Sequence, residues 1–263
     1  MDRQLLTIST ICFLVAVVRT MAELRGGSFR PARFNFFTIG LGFIFQTTFL
    51  SVRGHDLGRC PLTNLFEVLI FIGWSIALFY LLVGPAYRLS LMGAFTAPLV
   101  FLIQTFALLA PIDTMHRLKL PANRWLEFHA SFSTLAYGAF ALACVAGVMY
   151  LVQERQLKTH QLRSIFYHLP ALPDLFGAIT RLLWWGFVLY TIGLISGFFT
   201  GEPLPRAQVV WAIAVWLLYA LILQGRHLHR LAPKRVAALC IIGFSAALTL
   251  LWGITFSAQT HSP

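Results

Sequence analysis

The chain has 263 residues, of which 58% are hydrophobic and 11% are charged, and its formal net charge is +11. Soluble domains carry roughly 25% charged residues, so this composition argues against an ordinary soluble enzyme and predicts a polytopic membrane protein. We attribute the positive charge to Lys and Arg sorted into loops. Nucleic-acid binding is not expected, because no basic domain stands outside the apolar segments.

A membrane-crossing helix needs about 20 mostly apolar residues. The sequence contains eight such segments, at 4–22, 34–52, 64–83, 89–110, 128–152, 181–199, 207–225 and 235–257. We therefore expect an all-α, polytopic membrane helix bundle that forms a single membrane domain over 1–263. Residues 1–52 would contribute two N-terminal helices and residues 53–263 the remaining core. The first segment lacks a small-x-small cleavage site and is read as a retained helix rather than a signal peptide.

The basic residues predict the topology of this bundle. Thirteen lie on the side reached by the loops after spans 1, 3, 5 and 7, and seven lie on the other side. The richer side is expected to be cytoplasmic, so both termini would face outward, to the periplasm. The longest inner connection, 153–180, is predicted to contain an interfacial helix broken by Pro170 and Pro173.

The outer start of span 3 carries polar residues at the threshold of an apolar segment. Asn64 is a good N-cap, and Glu67, three residues later, can reach back to the backbone N–H of the cap. Pro61 cannot continue the helix backward, so it helps to fix where the span begins. We predict a structural cap here, which would also form a wall of any site at the outer face.

His129 opens span 5 and begins a polar stripe. Ser133 and Tyr137 follow at intervals of four, so the three side chains share one helix face. Polar groups inside a membrane face a neighbouring helix or a cavity, because lipid cannot satisfy them. Two readings stay open: an interfacial histidine with hydrogen bonds between helices, and a ligand of a bound group.

His261, just past span 8, falls on the same predicted side as His129. A histidine this close to a terminus is commonly a frayed, solvated residue. Two neutral imidazoles approaching from opposite sides are, however, what a six-coordinate haem iron accepts. The shared side makes this pair a hypothesis for haem ligation.

Aromatic residues make up 14% of the chain. Those near predicted span ends are typical of the aromatic belt of a membrane protein; they are Trp125, Trp184, Trp185 and Trp211. Aromatic side chains would also line a site for an apolar macrocycle, and we predict that Trp74 and Trp211 contribute to such a wall.

Two stretches resemble a known family. CPLTNLFEVLIFIGW at 60–74 is similar to the P-[LST]-[ST]-N-x-[YF]-E-x-hydrophobic-W signature of the CcsA/ResC/HemX-like cytochrome c assembly family. FHASFSTLAYGAFALACVAGVMYLVQERQLK at 128–158 resembles the helix of that family that begins with an outward histidine. Weaker similarity extends over roughly residues 55–261.

This resemblance implies haem handling in c-type cytochrome biogenesis. His129 matches the first outer axial ligand of the family, and His261, in the terminal HSP, matches the second. The expected cargo is haem b, held noncovalently and transiently, for delivery to or attachment on an apocytochrome c. A ResB/CcsB-like membrane partner and a bacterial inner (plasma) membrane location are also implied.

The chain departs from the family pattern in two places. The outer loop before span 7, GFFTGEPLPRAQVVW, lacks the Trp-Asp element of the family synthases, and Gln224 stands where they carry a transmembrane histidine. Whether the chain takes part in a haem lyase or synthase complex therefore stays open. The alternatives are a HemX-like, non-catalytic scaffold or regulator of haem biosynthesis and, less favoured, a small-solute transporter.

Overall fold

The computed structural model contains helices and turns but no strand in the part of the chain that it describes, residues 2–25, 33–84, 90–113, 123–159, 171–201 and 206–260. The helices are α1 (Asp2–Arg25), α2 (Arg33–Leu57), α3 (Leu65–Val83), α4 (Ser90–Leu109), α5 (Arg124–Thr159), α6 (Leu172–Phe198), α7 (Arg206–His227) and α8 (Pro233–Thr260). By length and composition, α1 to α7 are each long and apolar enough to cross a membrane. The eighth predicted span falls on α8, and the predicted all-α membrane bundle is confirmed.

Polar contacts show which helix ends lie together. The starts of α1, α3 and α5 meet the ends of α2, α4 and α6 through three contacts: Arg3 to Asp113 at 2.9 Å, Arg53 to Glu67 at 2.9 Å and Asn123 to the Thr200 carbonyl at 2.8 Å. We call this the His129 end of the bundle and the opposite one the Arg226 end. Which side of the membrane each end faces stays a prediction.

Helix α5 is the centre of the bundle, because α3, α6 and α8 all pack against it. Small residues allow these close approaches. A Cβ added to Gly138 would lie 2.0 Å from Oγ of Ser75 on α3, and one added to Gly147 would lie 3.0 Å from the carbonyl oxygen of Ala237 on α8. On the other side, Gly186 of α6 packs against the ring of Phe140.

Helices α1 and α2 are joined to the remaining bundle by buried polar contacts. The Thr10 hydroxyl donates to Oε1 of Gln104 on α4, and the Gln46 amide of α2 donates to the carbonyl of Ile70 on α3. Thr10, Gln46 and Gln104 are all buried. Such hydrogen bonds between helices satisfy polar groups that lipid cannot.

Helices α5 and α6 are longer than the predicted spans at 128–152 and 181–199. The two ends of the predicted interfacial segment are continuous with these helices, since α5 runs to Thr159 and α6 begins at Leu172. Pro173 lies in the first turn of α6, where the missing N–H of proline has no helical partner to lose, so it starts a helix rather than breaking one. Pro170 lies outside the described residues.

Candidate functional site

His129 lies in the second turn of α5 with its ring against α6. Its Nδ1 is 2.7 Å from the backbone carbonyl oxygen of Gly193. A carbonyl oxygen only accepts hydrogen bonds, so Nδ1 must be the donor. In the neutral ring the lone pair then lies on Nε2, which is the arrangement found in metal-ligating histidines whose other nitrogen is held by the protein.

Two glycines of α6 make room for this ring. A Cβ added to Gly197 would lie 2.8 Å from Nδ1 of His129, and one added to Gly193 would lie 2.5 Å from Oγ of Ser133. His129 and Ser133 therefore share the α6-facing side of α5, as their spacing predicts. Any larger residue at either glycine would push the two helices apart or rotate the ring.

Aromatic side chains surround the His129 end of this helix pair. The rings of Trp125 and Phe199 lie 5.0 Å apart between centroids, and Trp125 contacts Phe128 at 6.3 Å. All three side chains are about half-exposed. Trp125 precedes His129 by four residues, so it lies one turn away on the same face. This aromatic patch offers apolar, flat surface beside the imidazole.

The predicted cap of α3 is present. Asn64 Oδ1 accepts a hydrogen bond from the backbone N–H of Glu67 at 2.9 Å. Glu67 Oε2 reaches back to the backbone N–H and the hydroxyl of Thr63, both at 2.7 Å, one residue before the cap. The carboxylate therefore stabilises the turn that leads into α3.

Glu67 also belongs to a buried ion network that was not predicted from the sequence. Its Oε1 accepts from Nε of Arg53 at 2.9 Å, and Arg53 also binds Asp113, which binds Arg3. The side chains of Arg53 and Glu67 are only 2% and 1% exposed. The sequence did contain a signal for this network, because the basic Arg53 ends span 2 and the acidic Asp113 follows span 4 on the same predicted side.

The turn between α2 and α3 contacts the face of α5 that points away from α6. Sγ of Cys60 lies 3.2 Å from the hydroxyl of Ser131. Ser131 follows His129 by two residues, which is about 200° around a helix, so the two side chains point in nearly opposite directions. Burial raises the pKa of the Cys60 thiol; the charges of Glu127 and Glu67 also raise it, while the bond to Ser131 lowers it.

The other predicted site residues are spread over the bundle. Tyr137 is buried and its hydroxyl donates to the Ala247 carbonyl of α8 at 3.1 Å. Trp74 faces α2, where its indole N–H donates to Thr47. Trp211 bridges α7 and α8. His129 and Ser133 thus lie together, whereas Asn64, Glu67 and Trp74 contact other surfaces, and the predicted wall role of these residues stays a prediction.

His261 lies outside the described residues, so its pairing with His129 stays a prediction. Within the described part of the chain, no three His, Cys, Asp or Glu side chains are grouped so that they could hold a metal ion. A two-histidine haem site does not require such a group.

The sequence is similar to that of known cytochrome c assembly proteins. The sequence profile described as "Cytochrome C assembly protein" matches residues 62–261. The chain is 26% identical to the "Cytochrome c biogenesis protein CcsA" of Guillardia theta, over 94% of this chain and 92% of the relative. It is 27% identical to the protein of that name from Synechococcus sp. (strain JA-3-3Ab), over 79% and 78%. With its seven candidate spans, the chain is a multi-pass membrane protein, and it belongs to the cytochrome c assembly protein family.

Proposed function

We propose that the protein acts in c-type cytochrome biogenesis by binding haem at the outer face of the membrane. His129 and His261 are the two axial ligands of the iron, and the haem is delivered to, or attached on, an apocytochrome c. The observation that carries this proposal is the bond from Nδ1 of His129 to the Gly193 carbonyl, which leaves Nε2 as the coordinating nitrogen. Family membership and the names of the CcsA relatives support the same process.

The direction of α8 supports His261 as the second ligand. Tyr137, eight residues after His129, is bonded to the Ala247 carbonyl, and α8 continues from there to Thr260 toward the His129 end. At about 1.5 Å per residue, the thirteen residues from Ala247 to Thr260 cover roughly 20 Å, whereas His129 is roughly 12 Å from Tyr137 along α5. The chain is therefore long enough for His261 to reach the level of His129.

The role of the protein in this proposal is ligation and positioning. Haem is the cargo, bound as haem b, noncovalently and transiently. The reactive groups for thioether formation belong to the haem and to the incoming thiols, while the chain fixes the iron and shelters the macrocycle. The half-exposed rings of Trp125, Phe128 and Phe199 suit a flat, apolar ligand at this position.

We further propose a bacterial inner membrane location and a ResB/CcsB-like membrane partner. Gln224, at the Arg226 end of α7, stands where family synthases carry a histidine, and an amide is a poor iron ligand. The partner would supply groups that this chain does not provide at that position.

Visible absorption of the purified full-length protein tests the proposal. Wild type loaded with haem should give the spectrum of a low-spin, bis-histidine haem. His129→Ala and His261→Ala should each lose it, and His227→Ala, which removes an exposed histidine at the Arg226 end, is the matched control and should keep it. A bis-histidine spectrum that persists in both site variants contradicts the site. Failure of the wild type to bind haem contradicts the function and favours a scaffold.

Gly197→Ala tests the arrangement of His129 without removing a ligand. The added methyl group would lie 2.8 Å from Nδ1, so the imidazole must turn or shift. We expect weaker haem binding and a mixed-spin spectrum. Gly40→Ala is the control, because its Cβ would meet only Leu81 at 4.0 Å. An unchanged spectrum and affinity in Gly197→Ala would show that α6 does not orient the ligand.

A further inference from the structure

A groove lies at the Arg226 end, between α6 and α7 and far from His129. Its volume is about 550 Å³, and it is lined by Gly177, Thr180, Arg181, Trp184, Trp185, Val188 and Arg226. Arg181 precedes Gly193, the partner of His129, by twelve residues, which corresponds to roughly 18 Å along α6. The groove is therefore distinct from the proposed haem site.

Two guanidinium groups line this groove, and none of the seven lining residues is acidic. The guanidinium carbon of Arg226 lies 4.1 Å from the ring centroid of Phe176 on α6. Arg226 is half-buried and forms no ion pair with any carboxylate in the described part of the chain. A half-buried cation held on an aromatic face, beside a second cation, attracts an anion.

Three large apolar side chains form much of the remaining wall and are exposed on the outside of the bundle. Trp184, Trp185 and Val188 are 49%, 52% and 48% exposed. The indole N–H groups of the two tryptophans donate to no residue in the described chain, so both are available as donors. The tryptophans follow Arg181 by about one turn of α6. Charged groups with tryptophans one turn deeper are the pattern of a membrane interface.

We propose that this groove binds an anionic phospholipid. The phosphate pairs with Arg181 and Arg226, the ester region lies against Trp184 and Trp185, and an acyl chain follows the exposed side of Val188. A soluble anion would use the arginines and leave the apolar wall unoccupied, whereas a phospholipid matches both. Basic pockets between membrane helices bind anionic lipid headgroups in this manner. The proposal does not depend on haem binding.

Native mass spectrometry of the detergent-purified full-length protein tests the proposal, with phosphatidylglycerol or phosphatidylcholine titrated in. Wild type should retain phosphatidylglycerol preferentially. Arg181→Gln with Arg226→Gln should weaken that binding by about 30-fold, at roughly 1 kcal/mol for each basic group near the surface. Arg155→Gln with Arg235→Gln is the matched control, because both are exposed arginines at the same end but neither lines the groove, and it should weaken binding much less than the groove variant does.

A single arginine variant and a tryptophan variant test the two parts of the groove separately. If the double variant unfolds, Arg226→Gln alone should weaken phosphatidylglycerol binding about five-fold. Trp184→Ala with Trp185→Ala should weaken binding of the intact lipid. Equal loss in the groove and control variants, or equal binding of the two lipids by wild type, would overturn the proposal. Displacement of the lipid by millimolar inorganic phosphate would also overturn it, because it would identify a soluble-anion site.

Discussion

The buried ion network at the start of α3 predicts how the bundle responds to Glu67→Ala. This change removes the acceptor of Arg53 Nε and of both Thr63 donors. Removing one partner of a buried ion pair costs about 3–5 kcal/mol, because the other charge remains buried. Asp113 still binds Arg53, so we expect the lower end, about 3 kcal/mol of unfolding free energy.

A double-mutant cycle separates this coupling from simple truncation. Unfolding free energies would be measured for wild type, Glu67→Leu, Arg53→Met and the double variant in detergent with added denaturant. Replacing both charges by apolar groups should recover stability relative to the sum of the single changes. Effects that add within about 0.5 kcal/mol would show that the two residues are not coupled and would refute the reasoning. Haem bound per folded molecule should stay at the wild-type level in Glu67→Ala.

The packing of Gly138 and the raised pKa of Cys60 each give a testable prediction. Gly138→Ala would bring a methyl group within 2.0 Å of Ser75 Oγ and 2.9 Å of the Ser75 backbone. The free energy of unfolding, measured by thermal unfolding in detergent, should therefore fall by about 1–3 kcal/mol. The control Gly40→Ala should be neutral or slightly stabilising, because its added Cβ meets only Leu81 at 4.0 Å. The raised pKa of Cys60 means that less thiolate is present near neutral pH, so at pH 8 an impermeant maleimide should label Cys60 more slowly than an exposed cysteine. Labelling from outside intact cells, lost in Cys60→Ser, would also place the His129 end outward, and labelling only after lysis would contradict that orientation.

Local patterns in the sequence predicted the local structure well. Asn64 caps α3 because its side chain and the third residue of the helix are adjacent in sequence, so no tertiary information is needed. The spacing of His129 and Ser133 likewise predicts a common face whatever that face contacts. The prediction that Pro173 breaks a helix was wrong, because Pro173 lies in the first turn of α6. A proline can either interrupt a helix or begin one, and its place in the sequence alone does not distinguish the two cases.

Contacts between helices could not be predicted in the same way. Arg53, Glu67 and Asp113 come from three different elements, and their meeting depends on the register of α2, α3 and the end of α4. Counting charges assigned Arg53 to the same side as Arg3, and the two do lie at one end of the bundle through Asp113, but it treated Arg53 as one more loop charge. Its burial follows from α2 extending to Leu57, five residues beyond the predicted span.

The opposite faces of α5 explain why residues at one membrane level need not form one site. His129 faces α6 and Ser131 faces the turn that leads to the cap of α3, although both lie at the His129 end. Because these two faces are opposite, a change at the cap that is passed on through Ser131 would have to shift or rotate α5 against α6 in order to move His129. The tight contacts at Gly193 and Gly197 oppose that movement. This is the physical reason to expect Glu67→Ala to lower the stability of the bundle while the folded molecules still bind haem.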